Sequence, residues 1–267
     1  MKILKSILLL FLLTINISCN EDYELAKKYF QYVVKNDKGE ITKLYPSHSG
    51  ITDITFLRNY TKLEVLQFGG AEFGDLSPIS NLLELNYLDL GNTKVIDLSP
   101  LNNLIKIEHL FIFENSITDI TSIGKLVNLK ELHLSGSKLT DIAPLRNCTK
   151  IVNLSLSCDR LSDITAVGEL TNLEHLEITY SKELVDISPI GRLKKLKYLN
   201  LEGCKSIKDY SSLKGCISLE NLSIHTTGIT EDEIKVIQYL KNLKFIKGGS
   251  NKVWKTISEL RPDIREL

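Results

Sequence analysis

Apolar residues recur along this chain in the pattern Leu-x-x-Leu-x-Leu, as at Leu129, Leu132 and Leu134. Two apolar residues separated by one other residue indicate a β-strand with one buried face, because side chains alternate between the two faces of a strand. The pattern therefore predicts a short strand in each copy. The residues expected to point inward from these strands are Leu66, Phe68, Leu88, Leu90, Leu110, Ile112, Leu132, Leu134, Leu154 and Leu156.

An aspartate follows the strand pattern at a nearly constant interval. The period is 22 residues from Asp53 to Asp163 and 23 residues for the last two copies. Self-similarity at this period, with this leucine spacing, is typical of repeats that stack into a solenoid. The eight aspartates are Asp53, Asp75, Asp97, Asp119, Asp141, Asp163, Asp186 and Asp209.

Each aspartate opens a block that reads Asp-Ile/Leu-x-x-Ile/Leu in most copies. Four of the six prolines, Pro78, Pro100, Pro144 and Pro189, fall at one position of this block. A short acceptor side chain followed by proline predicts a capped helical turn, since proline lacks the N–H that would be unpaired there. Few residues remain before the next strand, so the convex side must consist of short 3₁₀-like turns. Capping also explains the eight aspartates better than catalysis does.

Small hydrogen-bonding residues follow each strand, and we expect them to form a buried ladder that satisfies backbone groups of the bend. Cys148 and Cys216 occupy a leucine column, and Cys204 lies in the ladder, so these thiols are predicted to be buried. Cys158 is placed near the concave rim. No pair has metal-finger spacing, and no disulfide framework is expected. The predicted ladder is Thr93, Asn115, Ser137, Asp159, Ser181, Cys204 and Thr227, with Ala71 as the exception.

The ends of a solenoid need caps that cover the leucines of the terminal repeats. Residues 23–34 have apolar residues at helical spacing, which predicts an N-terminal helix. Thr230 and Glu233 form a capping-box pattern, and Trp254, Ile257 and Leu260 are assigned to a last irregular unit that closes the stack. The predicted organisation is a signal peptide at 1–18, a lipid-anchored linker and helical cap at 19–50, leucine-rich repeats at 51–229 and a C-terminal cap at 230–267.

The repeat L-x-x-L-x-L-x-x-(N/T/S)-x-(I/L)-x-D-(I/L)-x-P-L resembles the 22-residue leucine-rich repeats of the internalin type, over about Ile51 to Ile246. The resemblance implies an α/β leucine-rich-repeat solenoid. Its curved parallel β-sheet would line the concave side, 3₁₀-like turns the convex side, and helical caps the two ends. The resemblance also implies that the protein binds a protein partner through the concave sheet, with no enzymatic activity and no cofactor.

The N-terminus reads as an export signal. Lys2 and Lys5 precede an apolar run at residues 7–13 that is too short to span a membrane, and Cys19 follows a small residue. This arrangement resembles the lipobox of bacterial lipoproteins, although Asn16 replaces the usual leucine. We therefore expect lipidation at Cys19 and an extracytoplasmic, membrane-anchored protein at the outer membrane or cell surface. Ordinary secretory cleavage is the alternative.

Charge gives no indication of nucleic-acid binding. The chain has 33 Lys and Arg against 33 Asp and Glu, and removing residues 1–18 takes away Lys2 and Lys5, which gives 31 − 33 = −2. Phosphate recognition depends on clustered cations. The lysines between 194 and 208 are interpreted as a solvated rim.

Aromatic and histidine residues are concentrated at outward positions of the predicted strands, where folding gives no reason for them. Gly91 and Ser135, beside Phe113, are expected to leave hollows for side chains of a partner. The first predicted contact group is Tyr87, His109, Phe111, Phe113, Glu131 and His133, and the second is His175, Glu177 and Tyr198.

Two other functions are kept open. His109, Glu131 and His133 form a triangle that could hold a divalent metal with open positions, as in a metal-dependent enzyme. Alternatively, the protein is a passive surface scaffold without a dedicated ligand. The metal-binding hypothesis predicts bound metal in the purified protein, and the scaffold hypothesis predicts that no specific partner is captured.

Overall fold

A computed structural model describes residues 23–46, 50–136 and 138–267 of the protein. The predicted signal peptide, Cys19 and Ser137 lie outside these residues. Within them, a twelve-stranded sheet runs in chain order. The strands are β1 (Phe30–Lys35), β2 (Ile41–Pro46), β3 (Val65–Gln67), β4 (Tyr87–Asp89), β5 (His109–Ile112), β6 (Glu131–Ser135), β7 (Asn153–Ser157), β8 (His175–Thr179), β9 (Tyr198–Asn200), β10 (Asn221–Ser223), β11 (Phe245–Lys247) and β12 (Arg265–Glu266).

The opposite side of the stack consists of short 3₁₀ helices, as predicted, and α-helices lie at the two ends. Helix α1 covers residues 23–29 of the described chain, and α2 is Asn251–Leu260. No helix in the described ranges has the length and apolar character that a membrane span requires. The 3₁₀ helices are Thr55–Asn59, Ser77–Ile79, Ser99–Asn103, Ile123–Lys125, Ala143–Asn147, Thr165–Glu169, Ser188–Arg192, Ser211–Gly215 and Glu233–Tyr239.

The leucine columns form one continuous core. From β2 to β12 every neighbouring pair is parallel, and Leu110, Leu132 and Leu154 are aligned in register on β5, β6 and β7. All three side chains are almost completely buried. The inward phase of the strands is therefore confirmed, and the residues between these leucines point out of the concave face.

The aspartate column caps the 3₁₀ helices in seven of the eight copies, as predicted, whereas Asp119 bonds to Thr121, before its helix begins at Ile123. In all eight copies the carboxylate accepts a hydrogen bond from the backbone N–H two residues later, at 2.7 to 2.8 Å. Hydrogen bonds from the backbone and hydroxyl of Ser77 lower the pKa of Asp75. The repeated aspartates are therefore explained by the fold.

The buried ladder is confirmed in most repeats but is wrong at Asp159. Asn115 donates to the hydroxyl of Thr93 at 3.1 Å, and both side chains are buried. In the repeat that contains β7, however, Cys158 is fully buried, while Asp159 is exposed and pairs with Lys182 at 3.0 Å. The expected position of Cys158 at the concave rim is therefore also wrong.

The backbone explains this shift by one residue. In other repeats the residue before the ladder position has a positive φ, for example +56° at Asn92 and +54° at Glu114. Cys158, which occupies the same place, is not among the described residues with positive φ. Its turn follows a different path, so the thiol points inward and the carboxylate of Asp159 stays in water, where it needs no buried partner.

The predicted N-terminal helix is correct only as far as residue 29. Beyond it, β1 pairs with β2 as an antiparallel hairpin. The Asn36 side chain accepts hydrogen bonds from the N–H groups of Lys38 and Glu40, both at 3.0 Å, and Gly39 adopts φ +81°. These features close a tight turn. Tyr32 is one of the apolar residues whose helical spacing predicts the helix over residues 23–34, and it is 61% exposed on β1.

At the C-terminus the capping box is confirmed, but the helix it opens is 3₁₀. The N–H of Thr230 donates to the Glu233 carboxylate at 2.8 Å, and the N–H of Glu233 donates to the Thr230 hydroxyl at 3.3 Å. The supposed irregular unit is the regular helix α2, in which Trp254 is partly buried against the core. Leu260 was expected in this core and is instead exposed.

Candidate functional site

Four rings on β4, β5 and β6, together with the ring of Phe113 directly after β5, form one contiguous surface on the concave side, which we call the aromatic patch. The Phe111 ring stacks on His133 with centroids 4.9 Å apart, and it lies 5.1 Å from the ring of Tyr87. The parallel register sets these neighbours, since Asp89, Phe111 and His133 are paired across the three strands. The sequence prediction that these residues come together is correct. The aromatic patch is Tyr87, His109, Phe111, Phe113 and His133.

The rings of the patch are outside the buried core. Phe111 and Phe113 are partly exposed, and their centroids are 6.0 Å apart. The hollow expected at Gly91 is filled, because a Cβ there would lie only 3.2 Å from the Phe113 ring. Phe113 therefore leans over the neighbouring strand, and the absent side chain of Gly91 makes room for that ring.

Glu131 links two histidines of the patch. Its carboxylate lies 2.9 Å from Nδ1 of His109 and 3.1 Å from Nε2 of His133. Burial raises the pKa of Glu131, but the hydrogen bonds to the two histidines outweigh it and the net shift is downward. Glu131 is therefore a carboxylate that holds both rings in place.

The candidate metal triangle comes together in space with a different geometry. The nitrogens of His109 and His133 that face Glu131 are hydrogen-bonded to its carboxylate, so the three side chains do not converge on an open point. Over the described ranges, no group of three or more His, Cys, Asp or Glu side chains could hold a metal ion. These side chains form a hydrogen-bonded network.

The second predicted group lies two strands further along the sheet. His175 and Tyr198 stack with centroids 5.9 Å apart, and the hydroxyl of Ser155 donates to the Glu177 carboxylate at 3.1 Å. Burial and the nearby charge of Glu177 raise the pKa of Tyr198. These side chains are held by contacts within the sheet, so their orientation is defined.

One open depression of about 430 Å³ joins the two groups. It extends from Glu131 and His133 to Tyr198, and Asn153 and Ser155 on β7 form its floor. The sequence prediction missed these two residues because neither is aromatic or charged. Their place in the outward columns, midway between the predicted groups, is the signal that could have identified them.

Comparison with known proteins agrees with this architecture. A family model for leucine-rich repeats, two copies, matches residues 105–147 and 127–169. The structure of internalin C2 from Listeria monocytogenes is similar with a TM-score of 0.65 and 29% identity, over 67% of this chain and 78% of that chain. The chain is a leucine-rich-repeat protein, and its repeats are similar to those of internalin C2.

More distant leucine-rich-repeat structures share the fold. A leucine-rich-repeat protein from Leptospira interrogans has a TM-score of 0.53 and 20% identity, over 85% of this chain and 72% of that one. The ectodomain of the Arabidopsis thaliana receptor kinase GASSHO1/SCHENGEN3, in complex with Casparian strip integrity factor 2, has a TM-score of 0.61 and 21% identity. The similarity covers 84% of this chain and 29% of that one. No curated protein gives a significant match.

Proposed function

We propose that this leucine-rich-repeat protein is an extracytoplasmic, non-enzymatic binding module that engages a protein partner through its concave sheet. The observation that carries the proposal is the aromatic patch. Phe111 and Phe113 contribute little to the core, yet they form a continuous surface with Tyr87, His109 and His133. Partly exposed aromatic rings surrounded by polar groups are typical of residues that dominate binding energy at protein interfaces.

The contacts within the patch also favour a binding role. Stacking between Phe111 and His133, together with the Glu131 hydrogen bonds, fixes the rings before any partner arrives. Side chains that are already ordered lose less conformational entropy on binding. The second group, with His175, Glu177 and Tyr198, extends the proposed contact surface along the sheet. Binding is also what this fold commonly does, as in the Arabidopsis ectodomain complex.

Site-specific photocrosslinking in the native host tests the proposal. A photoreactive phenylalanine analogue at position 111 should give a discrete crosslinked protein, whereas the same analogue at Ile105, an exposed apolar residue outside the concave columns, should not. Replacing both Phe111 and Phe113 with alanine should weaken binding of that protein by about 2 kcal/mol, roughly thirtyfold. Thermal stability should hardly change.

Three results would contradict the proposal. Crosslinking from position 105 alone would place the interface elsewhere on the molecule. Absence of a specific product at both positions would favour a passive scaffold. Loss of folding together with binding in the double variant would mean that the two rings support the core.

The proposed location depends on the N-terminal sequence. We infer that Cys19 is acylated and that the protein is a membrane-anchored lipoprotein, since two or more acyl chains anchor a protein stably. The Cys19→Ser variant should move from the detergent phase to the soluble fraction or accumulate as uncleaved precursor. Unchanged partitioning would exclude the lipid anchor, and release of a soluble mature form from the unaltered chain would support secretory cleavage.

A further inference from the structure

Charge is distributed unevenly over this nominally neutral protein. The outward positions on β3 to β10 and directly after these strands carry four carboxylates, those of Asp89, Glu131, Glu177 and Glu202. All of these positions are described, and none holds lysine or arginine, although the chain contains 33 Lys and Arg. The middle of the concave face, from β3 to β10, is therefore acidic, whereas Lys43 on β2, Lys247 on β11 and Arg265 on β12 occupy outward positions towards its two ends.

Many basic residues lie instead at the sides of the stack, each paired with an acid of the preceding repeat. Lys197, for example, lies 2.7 Å from Glu174. These pairs balance charge locally, so they do not offset the carboxylates of the concave face. The inter-repeat pairs are Lys94–Glu72, Lys106–Glu84, Lys130–Glu108, Lys182–Asp159, Arg192–Glu169, Lys197–Glu174 and Lys244–Glu220.

The concave carboxylates differ in their partners. Glu131 is bonded to two histidines, and Glu202 lies 3.6 Å from Lys247 on β11. Glu177 accepts hydrogen bonds from the hydroxyls of Ser155 and Tyr198 but forms no ion pair with any described residue. It lies in the depression between the aromatic patch and the second group, with Tyr198 and His133 also lining it. A carboxylate can accept up to about four hydrogen bonds, so Glu177 has capacity to bind a donor.

We propose that the depression receives a cationic side chain, arginine or lysine, from the protein partner, with Glu177 as its counter-ion. The inference rests on the proposed function, because it names the chemistry of a partner on the same sheet. Glu177 supplies an acceptor without a competing cation. The ring of Tyr198 also lines the depression, and a phenol ring attracts guanidinium and ammonium groups. A negative concave surface also speeds the approach of a basic segment.

Selection of peptides against the full chain tests this inference. A random peptide library displayed on phage is panned against the purified full chain. Peptides that do not bind the variant in which Phe111 and Phe113 are both replaced by alanine are kept as concave binders. We expect these peptides to be enriched in Arg or Lys relative to the starting library. Their affinity should fall as ionic strength rises.

Matched substitutions on both sides sharpen the test. Glu177→Gln should weaken a selected peptide by about tenfold or more, and so should replacement of its arginine by neutral citrulline. Combining the two changes should add little, since both remove the same pair. Glu174→Gln is the control, because it removes one carboxylate close in sequence but from a side position already paired with Lys197. It should leave affinity unchanged.

The outcomes separate this inference from the proposed function. Concave-binding peptides without basic residues, or insensitive to Glu177→Gln, would overturn the cationic side chain and leave a concave binding module standing. Failure to select any peptide that depends on Phe111 and Phe113 would contradict both.

Discussion

Asp89 on β4 and Asn200 on β9 make the same hydrogen bond at the same position of two repeats. Oδ1 of Asp89 accepts from the N–H of Gly91 at 2.8 Å, and Oδ1 of Asn200 accepts from the N–H of Glu202 at 2.9 Å. The turn needs a side-chain oxygen that accepts from the N–H two residues later. This oxygen need not be charged, but Asp89 carries a negative charge in a partly buried site.

Asp89→Asn should therefore stabilise the protein at neutral pH. Burial raises the pKa of Asp89 above the ordinary value of 3.8, and the Gly91 hydrogen bond only partly opposes it. The folded state thus favours the protonated acid, so the cost of the carboxylate is absent below pH 3.8 and appears as pH rises through the folded pKa. We expect a gain of about 0.5 kcal/mol in urea unfolding at pH 7, with less gain at pH 3.5.

The reciprocal variant Asn200→Asp is the control for Asp89→Asn. It introduces a carboxylate at the equivalent position and should lose stability at pH 7, again with a smaller effect in acid. If the stability of the two variants depended on pH in the same way, burial of the Asp89 carboxylate would not affect stability.

The strand phase predicts very different costs for neighbouring residues on β6. Leu132 is fully buried, and Leu132→Ala should reduce the free energy of unfolding by about 2 to 5 kcal/mol. Glu131→Ala, one residue away and facing the concave side, should cost less than about 1 kcal/mol. Chemical denaturation of both variants measures the difference, and similar losses would be incompatible with the inward position of Leu132.

Glycine should be favoured at Thr226, which has φ +55°. Positive φ is strained for a β-branched residue, and equivalent turns use Gly70, Gly136 and Gly203 at φ +70°, +68° and +77°. We therefore expect Thr226→Gly to stabilise the fold by about 1 kcal/mol, seen as a higher melting temperature. As a control, Thr227→Gly should destabilise, because the buried Thr227 hydroxyl donates to the carbonyl of Ile224 at 2.9 Å.

The buried thiols should be inert in the folded protein. Burial raises the pKa of Cys148 to about 11 and that of Cys216 to about 12, against 9.0 for a free thiol, so thiolate is scarce at pH 8. In the Cys19→Ser background, a disulfide reagent should modify none of the four remaining cysteines until guanidinium is added. Val127→Cys, at an exposed position, provides the reactive control. Rapid modification of the native protein would contradict the burial.

Most of the repeat architecture could be predicted from the sequence because each position of the repeat has one structural role in every copy. Leucines recur where side chains are buried, and aspartates recur where N–H groups need an acceptor, so many copies support the same conclusion. Irregular positions lack that support. The hairpin after residue 29 depends on Asn36 and Gly39 in a single turn, and the exchange of Cys158 for Asp159 depends on one backbone dihedral angle.

The candidate surface could be predicted in part. Register alone places Phe111 beside His133 and joins His109 to Glu131, as expected. Ring orientation was not predictable, since it follows from contacts between several side chains. Phe113 therefore fills the space above Gly91, and the depression centred on Ser155 emerges only from the shape of the whole sheet.

The two ends of the sheet also bear on how the protein behaves at high concentration. An edge strand offers unpaired backbone groups on which another chain can assemble. Here β1 pairs with β2 through an irregular register, with breaks between Phe30 and Tyr32 and between Val34 and Lys35, while β12 has only two residues. Bulged and very short edges are poor templates for further strands. The sheet can therefore stack its own repeats without inviting end-to-end growth into fibres.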